Sequence, residues 1–89
     1  MDREQIRSLI LETLAEVAPD ADLAQLDPDS TFHDQLGTDS VDFLNLVLAL
    51  EQKLDLHVPE GDYPRLASLT GAIDCLHPLV QKKAGASAS

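Results

Sequence analysis

Eighty-nine residues make one domain and leave little room for both a core and a deep catalytic cavity. The hydrophobic content of 44 % predicts a folded chain rather than a disordered one. Sixteen acidic residues against six basic ones give a net charge of −10. That charge argues against nucleic acid and anionic lipid and for protein partners with basic patches, with plain solubility as the competing explanation.

Residues 3 to 17 read as an amphipathic helix, because Ile6, Ile10, Leu14 and Val17 recur at spacings of four and three. Asp2 suits its cap, and Pro19 stops it. Residues 18 to 38 show no sustained period and hold Pro19, Pro28, Gly37 and five aspartates, with one helical turn conceivable at 21 to 25. The spacing predicts a long connection, pinned to the core by Leu23, Leu26, Phe32 and Leu36.

Residues 40 to 54 form the clearest helix, leucine-rich and free of glycine and proline, with Asp39 or Ser40 as its cap. Asp39 and Asp42 suit the positive end of its dipole. Its apolar surface is broad, with Phe43, Val47, Leu50 and Leu54 in one stripe and Leu44 and Leu48 in another. Such breadth means burial on several sides or a partly exposed binding face. Val58-Pro59-Glu60-Gly61 breaks the chain, and Pro64 limits residues 61 to 66 to a short helical turn. Ser68 caps a last helix through Leu69, Ile73, Leu76 and Val80, which Pro78 is expected to end or kink. The expected fold is all-α, a bundle of three main helices plus one short helix, with a long loop between the first and second helices. Residues 1–81 form the domain, and residues 82–89 a flexible tail.

Leu36-Gly37-Thr38-Asp39-Ser40-Val41-Asp42 carries the chemistry. It places a serine between two aspartates, after a glycine turn and at a helix start, where amide hydrogens favour a phosphate ester on the hydroxyl. No base is evident to activate Ser40, so it suits modification by another enzyme better than catalysis. Taken alone, the position fits a simple helix cap better than an attachment site.

With its flanks, this segment resembles the acyl carrier protein family over residues 3 to 80. The resemblance rests on Leu36-Gly37-Thr38-Asp39-Ser40-Val41, on Leu46 to Glu51, on Val58-Pro59-Glu60, on Thr31-Phe32 and on Ala72-Ile73-Asp74. It implies that a phosphopantetheinyl transferase places 4'-phosphopantetheine from coenzyme A on Ser40, with Asp39 as part of the motif. It further implies a non-catalytic carrier that holds acyl groups as thioesters. Acyl-transferring or condensing enzymes of fatty acid, lipid or polyketide-type biosynthesis would dock through basic patches onto Val41, Asp42, Glu51 and Asp62. Asn45, where glutamate is usual, together with Gln52-Lys53 and Gly61 to Arg65, departs from the housekeeping fatty-acid pattern and points to a specialised carrier. An aminoacyl, peptidyl or alanyl carrier and an unmodified acidic adaptor are the alternatives.

Single Cys75 excludes an intramolecular disulfide and a multi-cysteine zinc site and suits a reducing cytosol. Residues 1 to 7 lack a signal-peptide stretch, and no apolar run nears the roughly 20 residues of a membrane helix. A cytoplasmic monomer without membrane insertion is expected. His33, His57 and His77 read as ordinary surface or half-buried histidines. The aspartates around residues 20 to 29 lack the pattern of a calcium loop and read as a solvated loop. Tyr63 is placed to cover an arm near the short helix, with packing as its default role.

Overall fold

The computed structural model describes the backbone of residues 1–88 and the side chains of residues 1–83. Helix α1, Arg3–Val17, starts on a reciprocal cap in which the Gln5 amide donates to Asp2 Oδ1 (2.8 Å) and the Asp2 amide to Gln5 Oε1 (2.9 Å). It ends at Ala18, ahead of Pro19. Its inward face is Ile6, Ile10, Thr13 and Leu14, all essentially without solvent contact.

The connection to the next long helix is ordered by its own polar side chains. A 3₁₀ turn at Leu23–Gln25 starts on Asp22. The Asp27 carboxylate accepts from the Asp29 amide and the Ser30 hydroxyl, while the Gln35 side chain bonds the Asp27 amide and the carbonyls of Asp27 and Ser30. Thr70 ties this loop to the far end of the chain, its amide to the Pro28 carbonyl and its hydroxyl to Asp29. A five-residue helix, α2 (Phe32–Leu36), then forms where no helix was expected. Thr31 caps it and Gly37 stops it in the left-handed region at φ 68°. Five residues are too few for a helical period to register in the sequence.

Helix α3 spans Ser40–Leu54, the expected bounds. Leu46, Val47 and Leu50 enter the core. Its end is held by Asp55 in the left-handed conformation, with Lys83 on the Asp55 carboxylate at 2.8 Å. Residues Glu60–Ala67 are 3₁₀ around Pro64, the short helix of the expected fold. Helix α4, Leu69–Ala88, starts on the Ser68 hydroxyl, which accepts from the Gly71 amide at 3.1 Å.

Pro78 does not end α4, the first of the two outcomes expected of it. Proline removes one amide and frees the carbonyl four residues back. Here that residue is Asp74, and both Asp74 and Pro78 lie on the exposed face, where water can satisfy the carbonyl. Helical backbone runs past residue 81 to Ala88, and Ser89 of the anticipated tail lies outside the described residues.

The three long helices pack around one apolar core, with Leu66, Leu69, Ala72 and Leu76 closing it from the 3₁₀ segment and α4. Polar ties join the helices at the rim: Arg3 pairs with Asp74, and Lys53 reaches both Glu16 and the buried Thr13 hydroxyl. No helix among the described residues is long and apolar enough to cross a membrane.

Candidate functional site

The α2–α3 elbow is built to present one serine. Gly37 turns the chain, and buried Thr38 anchors it, its carbonyl bonded to His33 Nδ1 at 2.5 Å. Asp39 is the cap of α3: the Asp42 amide donates to Asp39 Oδ1 (2.9 Å), and the Asp39 amide to Asp42 Oδ2 (3.3 Å). Ser40 is therefore the first helical residue and not the cap. That corrects the reading in which capping was its whole role. Its side chain is exposed, and no hydrogen bond among the described residues engages its hydroxyl. The first amides of a helix lack intrahelical partners and carry partial positive charge. Ser40 thus offers a free hydroxyl at an electropositive helix end, which suits a phosphodiester.

Beside Ser40 lies an open cleft of about 470 Å³. Phe32, His33, Thr38 and Asp39 line it from the elbow, Phe43 from α3, and Tyr63, Pro64 and Ala67 from the 3₁₀ segment. Its walls are mostly apolar, which accommodates an organic arm attached at its edge. Desolvation, followed by the charges of Glu51 and Glu60, pushes the Tyr63 phenol above its ordinary value, so it remains a proton donor across neutral pH. Beneath Phe43 the packing leaves only about 10 Å³, space for no more than one water.

The other residues singled out in the sequence fall in distinct places. Val41 projects into solvent at 65 % exposure beside Ser40. Asp42 is half-buried and committed to the cap. Glu51 keeps only 13 % of its side chain exposed, because its carboxylate receives the Val58 amide at 2.8 Å and His57 at 3.0 Å. It fastens the end of α3 to the loop that follows. Asp62 is half-buried in the 3₁₀ segment, remote in sequence from the elbow. Leu44 and Leu48, exposed at 46 % and 48 %, extend Val41 into an apolar stripe along α3. The sequence signal was their separation from the Phe43–Val47–Leu50 face.

Sequence reasoning did not gather His33 and the aromatic residues at Ser40, since they come from three separate segments. His33 is exposed as expected but borders the cleft, where its recorded hydrogen bond is to Thr38 rather than to Ser40. Among the described residues no cluster of three His, Cys, Asp or Glu side chains can hold a metal ion. Cys75 is buried, and desolvation pushes its thiol up.

A family model described as "Phosphopantetheine attachment site" matches residues 4–73. The chain is also 34 % identical over 80 residues to an acyl carrier protein of Campylobacter hominis, an alignment that covers 90 % of this chain and 95 % of the relative.

Proposed function

The chain belongs to the acyl carrier protein family, and from that premise we propose that Ser40 is where its 4'-phosphopantetheine is attached. This family's domain is the attachment site of that group, whose terminal thiol carries acyl chains as thioesters. The observation that supports Ser40 is its free, exposed hydroxyl at the first position of α3, with the capping role already taken by Asp39. In the attachment step a bond forms between Ser40 Oγ and the phosphorus next to pantetheine in coenzyme A. The pyrophosphate bond breaks, 3',5'-ADP leaves, and the serine proton passes to a base of the phosphopantetheinyl transferase.

The chain's own residues then present the arm. Asp39 and Asp42 fix the start of α3, and Gly37 and Thr38 fix the elbow, so Ser40 has one orientation for every partner. Partners are acyl-transferring or condensing enzymes of fatty acid, lipid or polyketide-type synthesis, and the carrier performs no catalysis itself. They dock on the face that begins at Val41 and Asp42 and extends toward Asp62, basic groups meeting the acidic surface. Residues 1–81 act as the carrier domain, in a cytoplasmic monomer serving one dedicated pathway.

Intact mass tests the proposal. Incubation with coenzyme A and a broad-specificity phosphopantetheinyl transferase should add one phosphopantetheine to the wild type and none to Ser40→Ala. Addition to both proteins, or to neither across several transferases, would refute Ser40 as the site.

A further inference from the structure

The whole chain has three aromatic residues, two phenylalanines and one tyrosine. All three line the cleft at Ser40, although they come from α2, α3 and the 3₁₀ segment. Phe32 forms part of its lining while almost fully buried at 2 % exposure, and Phe43 and Tyr63 are each partly exposed. The Tyr63 hydroxyl has no hydrogen-bond partner among the described residues. Beneath Phe43 the packing leaves about 10 Å³, and Leu46, Val47 and Leu50 are at most 2 % exposed.

We propose that this cleft receives the acyl end of the cargo and favours a flat, aromatic acyl group over a long alkyl chain. The proposal rests on the carrier reading above and names the cargo class of the same site. A flat ring folded back along its arm meets aromatic neighbours in edge and offset contact, each worth about 0.5–1.5 kcal/mol beyond the area buried. The Tyr63 hydroxyl is free to donate to a polar substituent or to the thioester carbonyl. A long alkyl chain has no such partners, and reaching the core would require Phe43 and the leucines behind it to leave close packing.

Nuclear magnetic resonance on loaded protein tests this. Benzoyl-phosphopantetheine and decanoyl-phosphopantetheine are transferred to Ser40 from the corresponding acyl-coenzyme A, and intact mass verifies loading. Relative to the protein bearing the bare arm, the benzoyl form should move the ring resonances of Phe43 and Tyr63. Its own ring protons should shift upfield, while the methyl resonances of Leu46 and Leu50 stay in place. The decanoyl form should move neither set. Tyr63→Ala, purified in the benzoyl-loaded form, should lose the upfield shift, and Tyr63→Phe should keep most of it. Movement of the Leu46 and Leu50 methyls on decanoyl loading would overturn the proposal. So would aromatic shifts already complete with the bare arm. Failure of any arm to attach would instead refute Ser40 as the site, and the cargo proposal with it.

Discussion

At the residue scale, Asp39 and Ser40 divide two tasks that one serine at a helix start can combine. Asp39 accepts the Asp42 amide, and Ser40 leaves its hydroxyl to solvent. The two substitutions therefore have opposite signatures. Asp39→Ala should lower stability by about 1 kcal/mol in urea unfolding, the usual value of a side-chain cap, and Asp39→Asn should recover most of it. Ser40→Ala should change stability by less than about 0.5 kcal/mol, as at an ordinary surface position, while abolishing attachment of the arm. The sequence already displayed both residues and the glycine before them. It left open which one capped the helix, because serine and aspartate are almost equally good caps and only backbone geometry separates them. The placement of Glu51 was beyond reach for a related reason. Its inward role depends on where the Val58 amide returns after the turn at Asp55.

At the scale of elements, the long helices were legible where a cap and a sustained apolar period coincide, as in Asp2 with Ile6, Ile10 and Leu14, or Asp39 with Leu46 and Leu50. Helix α2 was not, since Thr31 and Gly37 bracket only five residues. Whether Pro78 ends α4 or is carried within it depends on what faces the freed carbonyl, which the sequence does not display. The meeting of α4 with the 3₁₀ segment supplies a sharp test. A methyl group on Gly71 would lie 2.3 Å from the Arg65 carbonyl oxygen, a backbone atom. Gly71→Ala should therefore destabilise by roughly 1–3 kcal/mol, as overpacking does, reversing the roughly 1 kcal/mol gain that alanine brings to an open helix. Thermal unfolding of the variant reads the sign directly.

The loop before α2 has its own pH signature. The Asp29 amide and the Ser30 hydroxyl hold the Asp27 carboxyl below its ordinary value of 3.8. A carboxylate with a depressed folded-state value adds stability above its unfolded value and loses it as the pH falls through the folded one. The stability difference between wild type and Asp27→Asn should therefore be largest near neutrality and shrink as the pH drops below about 4. Urea unfolding across that range measures it, and a difference independent of pH would contradict the role assigned to Asp27.

For the whole molecule, the net charge of −10 is spread over a surface on which α3 contributes an apolar stripe of Val41, Leu44 and Leu48. Long-range attraction brings a basic partner near, and the stripe supplies contact that salt does not screen. Raising the ionic strength from about 0.05 to about 0.5 M should slow association with the transferase several-fold, with a smaller effect on dissociation. Stopped-flow measurement separates the two rates, and an association rate indifferent to salt would remove charge from the docking account. The all-α class and the serine at the head of α3 were readable from the chain alone. The aromatic cleft was not, because folding collects it from residues 32, 43 and 63.

The most direct measurement is tandem mass spectrometry of the protein after treatment with coenzyme A and transferase. The account predicts one phosphopantetheine, located on the peptide containing Ser40, with Ser8, Ser30, Ser68, Ser87 and Ser89 unmodified. An arm on any other serine, or a folded protein that accepts none, would contradict it.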